Sequence, residues 1–166
     1  MSIIKTRAKG DKDMKPTLKK EKAATAEDSE VLSLVDEWAE GVRTKNVERI
    51  VQHYSEDAVL FDLAPPLTYV GKEAYRKSLE NWFTSFDGPI GYEFTDLEVN
   101  VSGDVAFVHS VNHMTGKRTG GEQTDVWLRA TVGFRKLGGR WLVTHEHVSV
   151  PFYMDGSNKA AVDLKP

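Results

Sequence analysis

The sequence predicts an α+β fold: about three N-terminal helices, then a mainly antiparallel sheet. Three observations carry this. Apolar residues recur at helical spacing through the first half of the chain. Four runs rich in β-branched and aromatic residues occupy the second half. Short Gly-containing connections of the hairpin kind separate those runs. A chain of 166 residues suits one domain, large enough to bury a core without covalent staples.

The elements follow in order. In TAEDSEVLSLVDEWAEGV, Val31, Leu34, Val35, Trp38 and Val42 fall on one helical face. Thr25 is a suitable N-cap, and Glu27 and Asp28 suit the positive end of the helix dipole. A short second helix follows Asn46, with Val47, Ile50, Val51 and Tyr54 as its apolar stripe. DAVLFD then reads as a strand, and the prolines of LAPPLTYVG end it, because proline cannot donate to a ladder. Lys72 to Phe86 reads as a third helix, with Tyr75, Leu79, Trp82, Phe83 and Phe86 on one face, ended by DGPIG. The four strands are YEFTDLEVNV, VAFVHSVNH, DVWLRATVGFRK and WLVTHEHVSV, separated by SGD, TGKRTGG and LGG. Residues 26–153 form the expected domain, 1–25 a basic disordered leader, and 154–166 a loose tail.

Alternation along a strand assigns faces. Val105, Phe107, His109, Val111 and His113 share one face, opposite Ala106, Val108, Ser110 and Asn112. Val126, Leu128, Ala130, Val132 and Phe134 form an apolar face that meets the helices, opposite Asp125, Trp127, Arg129 and Thr131. In the last strand Leu142, Thr144, Glu146, Val148 and Val150 oppose Val143, His145, His147 and Ser149. The side away from the helices thus carries apolar residues, with Trp127, Val108 and Val143 assigned to it. A patch of that kind marks a subunit interface, so a homodimer through the outer sheet face is expected, with Trp127, Arg129 and one or both of His145 and His147 in or near it.

Charge and composition exclude several classes. The first 25 residues hold eight Lys/Arg against three acids, while the remainder has 14 basic against 22 acidic residues. An acidic body is a poor surface for nucleic acid, which requires clustered positive charge. No apolar run approaches the roughly 20 residues needed to span a bilayer, and no apolar segment follows the basic N-terminus as in a signal peptide. The chain has no cysteine, which excludes disulfides, thiolate metal sites and cysteine nucleophiles. A cytoplasmic protein is expected, with no nucleic-acid or membrane partner.

WAEGVRTKNVERIVQHYSEDAVLFD and GRWLVTHEHVSVPF resemble the helix–helix–strand entry and the closing strand of the nuclear transport factor 2-like superfamily, in its SnoaL-like and ketosteroid-isomerase-like branch. The resemblance covers Ala26 to Phe152. Trp141, His145, His147 and Ser149 are similar in spacing to the association domain of calmodulin-dependent kinase. The resemblance implies a cone-shaped fold, helices wrapped in a curved sheet, with a pocket at its open end. It implies that Asp62 falls where steroid isomerases hold their general base, and Trp38 where they place an oxyanion-donating tyrosine. It puts His109, Val111 and His113 on a cavity-lining strand, and Glu146 and Val148 on the pocket side of the last strand. The chain departs from that pattern in having no second acid near Ala130 to Val132. The kinase domain's pocket arginines are replaced by Val111, Val132 and Val148.

Asp62 with a histidine is the sharpest catalytic reading: a partly buried carboxylate has a raised pKa and could take a proton beside a carbonyl. The structural alternative is that Asp62 caps the chain break before LAPP. A buried Glu146 needs a partner, and a hydrogen bond to His109 or His113 is expected. His109 and His113 stand roughly 13 Å apart along a strand, too far to share one ion. His145 and His147, about 6.6 Å apart, could share a metal only with a third ligand, and that face shows no obvious one apart from residues of neighbouring strands. The expected site is therefore catalytic Asp62, His109 and Glu146, lined by Trp38, Tyr54, Val111, His113, Val132 and Val148, without metal or cofactor. Its ligand is a small, largely apolar molecule with a carbonyl or hydroxyl. Two readings stand: proton-transfer catalysis of the isomerase, cyclase or hydratase type, or a non-catalytic ligand-binding or dimerisation module.

Overall fold

In the computed structural model, which describes residues 25–166, three helices and six strands form an α+β fold. Helix α1 spans Ala26–Arg43, α2 Val47–Val51 and α3 Lys72–Thr84. Strands are β1 Tyr54–Phe61, β2 Tyr69–Val70, β3 Phe86–Ser102, β4 Val105–Arg118, β5 Gln123–Leu137 and β6 Arg140–Ser149, in the sheet order β2-β1-β6-β5-β4-β3. All pairings are antiparallel except β1 with β6. The basic leader falls, but for Thr25, outside the described residues.

The helices form where spacing and caps require them. Thr25 and Asp28 make a reciprocal capping box that satisfies two orphan donors of α1. Val31, Val35, Ala39 and Val42 bury one face of α1, while Leu34 and Trp38 lie at its edge. The Asn46 side chain accepts the Arg49 N–H and starts α2, whose Ile50 is fully buried. Burying such a side chain is worth about 1.5–3 kcal/mol. Tyr75, Leu79 and Phe83 seat α3, and Phe86, read as the end of that helical face, opens β3 instead.

Three features differ from the sequence reading. The Gly-Pro of DGPIG does not separate elements; it is absorbed by an irregularity in β3 between Asp87 and Ile90, opposite the extended end of β4. The short β2 pairs with β1 through two residues that carry too little pattern to read. Segment 154–166 is not loose: Phe152 bridges Ala160, Ala161 is buried, and Lys165 Nζ reaches Asp125 at 3.1 Å.

Bulges decide the faces. In β5–β6, Gly133 pairs with His145 but Phe134 with Val143, so Thr144 is an extra residue. Strict alternation is broken there. Trp141 and Val143 point inward before it, and Glu146 after it. Val143 therefore belongs to the core, not to the outer face. Val108, also assigned outward, is 2% exposed, in the core. Among the described residues, no helix is long and apolar enough to cross a membrane.

Candidate functional site

Two cavities lie between the helices and the inner face of the sheet, and Trp38, Tyr92 and Glu146 line both. The narrower, of about 40 Å³, runs beneath α1 past His53, Tyr54, Val132 and Val143. The wider, of about 290 Å³, lies between α3, the segment after β1 and the sheet. Its walls are mainly apolar, from Leu79, Trp82, Met114, Leu128 and Val148; its polar groups include Asp62, Tyr75, Tyr92, Arg118 and Glu146. That balance of apolar wall and few polar groups is what small-molecule sites share.

Glu146 sits at the junction. Register places it beside Leu60 of β1 and Val132 of β5, both on the inner side. The residue is 6% exposed, and the Tyr54 hydroxyl donates to Oε2, leaving Oε1 for the cavity. Burial pushes the Glu146 carboxyl up to about 7, the negative charge of Asp62 adds to this, and the Tyr54 hydrogen bond opposes it. Asp62 stands one residue beyond the Phe61–His147 pair that ends β1. Burial raises its pKa, partly offset by the Leu63 N–H that donates to Oδ1 at 2.6 Å. Asp62 thus caps the break after β1 and also lines the wider cavity.

Three tyrosines surround these acids. Burial raises the pKa values of Tyr54, Tyr75 and Tyr92, so each holds its proton. A buried relay orients Tyr92: Ser110 donates to Asn112 Oδ1 at 2.6 Å, and Asn112 Nδ2 donates to the Tyr92 hydroxyl at 2.9 Å. With its oxygen occupied as acceptor, Tyr92 retains its own O–H to give. The indole of Trp38 packs edge-on to Tyr92 at 5.1 Å. Its buried Nε1 makes no well-aligned hydrogen bond, although it lies near enough to Tyr75 to favour that hydroxyl's ionised form against the larger effect of burial. His53 Nε2 is likewise buried without a partner, and burial lowers the pKa of this ring.

Of the expected site residues, Asp62, Glu146, Trp38, Tyr54, Val132 and Val148 line these two cavities. His109, Val111 and His113 do not. They lie on the outer sheet face, where His109 meets Glu98 at 3.4 Å and His113 stacks on Trp127 with ring centroids 4.4 Å apart. The reason is register: Ser110 and Asn112 pair with Ala130 and Leu128 of the apolar face of β5, while His109, Val111 and His113 pair with Thr131, Arg129 and Trp127. Opposite residues in an antiparallel pair share a face. The expected Glu146–histidine bond is therefore absent, and Tyr54 takes that place. His145 and His147 lie outward as read, both edge-on to Phe61. Among the described residues, no group of three or more His, Cys, Asp or Glu side chains is placed to hold a metal ion. The residues missed in sequence were Tyr75, Tyr92, Ser110, Asn112, His53 and Arg118. Pairing the second strand of the meander against the apolar face of the third would have found Ser110 and Asn112.

The SnoaL-like domain profile matches residues 31–153. No curated protein matches the sequence. Among solved structures, an NTF2-like protein of unknown function from Pseudomonas putida KT2440 is 36% identical, over 87% of this chain and 100% of its own, with a TM-score of 0.78. A ketosteroid isomerase-like protein from Erwinia carotovora atroseptica is 21% identical over 73% of this chain and 93% of its own, TM-score 0.64. A candidate scytalone dehydratase from Novosphingobium aromaticivorans is 21% identical over 81% and 91%, TM-score 0.65. At such identities the latter two share the fold alone.

Proposed function

Because the chain belongs to the SnoaL-like domain family, we propose that its wider cavity binds a small, largely apolar molecule bearing a carbonyl or hydroxyl and moves a proton on it, as in an isomerase, cyclase or hydratase. One observation carries this reading: Glu146 is a buried acid with a pKa of about 7 in the same cavity as a second carboxyl, Asp62. Two carboxyls whose environments separate their pKa values can act as base and acid at one pH. Asp62 takes a proton from the carbon beside the carbonyl. The electron pair moves to the carbonyl oxygen, which the Tyr92 hydroxyl and the protonated Oε1 of Glu146 receive. Return of the proton to another carbon isomerises the molecule; loss of a neighbouring hydroxyl, protonated by Glu146, dehydrates it. A base with a tyrosine and a protonated carboxylic acid is the arrangement of ketosteroid isomerase; here Asp62 would keep the base's place, while Tyr92 and Glu146 would supply the donors from other positions.

The direct test is deuterium incorporation beside the carbonyl of small cyclic ketones in D2O, followed by proton NMR. The wild type should exceed the buffer rate, and Asp62→Asn should lose about 10²–10⁴-fold of that excess. Exchange at the buffer rate for every ketone would instead support a non-catalytic binding module of the same fold. The commitment of the Tyr54 hydroxyl to Glu146 favours that second reading.

The outer sheet face is proposed to bind a second copy of the chain. Val105 and Phe107 are exposed there, Phe107 stacked on His109 with centroids 6.2 Å apart, on the face that also carries the His113–Trp127 stack. Light scattering at micromolar concentration should give the mass of a dimer, and a monomer would exclude it. The absence of cysteine supports a cytoplasmic setting.

A further inference from the structure

We infer that Arg118 is the anchor for a carboxylate on the ligand, so that the wider cavity takes small apolar acids rather than neutral molecules; this rests on the cavity being the ligand site proposed above.

Arg118 comes from the end of β4 and is partly buried against the wider cavity. Its guanidinium is held in place without being neutralised. Nε donates to Thr124 Oγ1 at 3.0 Å, Nη1 donates to Ser85 Oγ at 2.6 Å, and the Phe86 ring lies 4.0 Å beneath the central carbon. Hydroxyls and an aromatic face orient an arginine but leave its charge in place. Of its five N–H groups two are used in these bonds; both of those on Nη2 and one on Nη1 remain to donate to a carboxylate. No carboxylate pairs with it among the described residues. Other partly buried cations do find acids or carbonyls: Lys72 pairs with Glu56, Arg76 with Glu48 and Glu73, and Lys45 Nζ donates to Phe86 O at 2.6 Å. A partly buried charge without a counter-ion is costly, and a bound anion would relieve that cost.

The position of Arg118 relative to the acids gives the ligand its polarity. Arg118 ends β4, Glu146 lies on β6 and Asp62 follows β1, and in the sheet order β5 stands between β4 and β6, with β1 beyond them. The cation and the two carboxyls therefore stand apart in one cavity, with apolar walls at Leu79, Trp82, Met114 and Leu128. A ligand that fits has its carboxylate on Arg118, an apolar body along those walls, and its reacting carbonyl or hydroxyl between Asp62 and Glu146. The support beneath Arg118 is also close-fitting. A Cβ on Gly116 would come within 2.8 Å of the Phe86 ring, so glycine there lets Phe86 sit under the guanidinium.

The test compares 3-phenylpropanoate with its neutral amide, 3-phenylpropanamide, by calorimetry and by quenching of tryptophan fluorescence. The acid should bind the wild type about tenfold or more tightly than the amide. Arg118→Gln should abolish that preference by weakening the acid far more than the amide, and Arg118→Lys should keep part of it. Equal binding of acid and amide to the wild type, no saturable acid binding up to about 10 mM, or a preference that survives in Arg118→Gln would each overturn the inference. The wild-type comparison holds even if Arg118→Gln fails to fold. Failure of the catalytic reading looks different: acid binding then depends on Arg118, yet no proton exchange occurs and Asp62→Asn changes nothing. Exchange on neutral ketones with no Arg118 dependence of KM would leave the catalytic reading intact and remove this one.

Discussion

The inner and outer faces of the sheet each hold a carboxyl with a displaced pKa, and they are displaced in opposite directions. Glu146 on the inner side of β6 is raised to about 7, chiefly by burial. Asp125 on the outer side of β5 is lowered, chiefly by hydrogen bonds from His113 and Lys165. The inner acid is deprived of water and given one neutral donor, so it favours its proton. The outer acid remains in water with the His113 ring and the Lys165 ammonium donating to it, so it favours its charge. The same division runs along β4, where Asn112 serves the buried relay to Tyr92 and the next residue, His113, serves the Asp125 pair. Proximity of histidines to acids in sequence therefore says little about chemistry; the face decides it.

The most severe way to break this contrast is to remove the inner acid. Glu146→Gln should lower any proton-transfer rate by about 10²–10⁴-fold. In the wild type the rate should fall as pH rises through about 7, as Glu146 loses the proton it donates. The same change alters the stability profile. The folded pKa of Glu146 lies above its ordinary 4.5, so the folded state binds the extra proton. Its contribution is fully present below 4.5 and is lost as pH rises through about 7. Urea unfolding should show roughly 3 kcal/mol of stability lost over that window, and Glu146→Gln should flatten it.

Tyr54→Phe acts less strongly. It removes the donor that opposes the effect of burial, so Glu146 should titrate higher still, with a stability loss of about 1–3 kcal/mol by chemical denaturation. Smaller again is Phe107→Asp, on the outer face. It should convert a dimer to a monomer by light scattering while changing ketone exchange little. The least effect is expected from Asp125→Asn. A lowered folded pKa gives stability that is present above the unfolded pKa and lost as pH falls through the folded one. Thermal melts of this variant and the wild type should therefore differ near neutral pH and converge at strongly acid pH, with ligand binding unaltered.

The helices and the four long strands were legible in the sequence because each carries a strong repeat: Val31, Val35 and Val42 at helical spacing, Leu128, Ala130 and Phe134 at strand spacing. The family resemblance put Asp62, Trp38 and Glu146 on the pocket side, and in the structure all three line a cavity. The polar interior was harder to read. β4 is partly apolar on both faces, and its inner face carries Ser110 and Asn112, which resemble outward residues until their relay to Tyr92 is seen. In β6 the extra residue at Thr144 inverts the alternation between Val143 and Glu146, and a bulge has no local composition that announces it. Arg118 sat in a stretch that read as a turn because of its glycines, whereas the ladder continues through it opposite Phe86.

The central claim is that Glu146 is a protonatable acid inside the cavity. Its side-chain carboxyl carbon can be followed by carbon-13 NMR from acid to alkaline pH, with the resonance assigned by its loss in Glu146→Gln. A midpoint at about 7, moving upward in Tyr54→Phe, is the result predicted. A midpoint near the ordinary 4.5 would show a carboxylate already ionised in the neutral range and would contradict the claim.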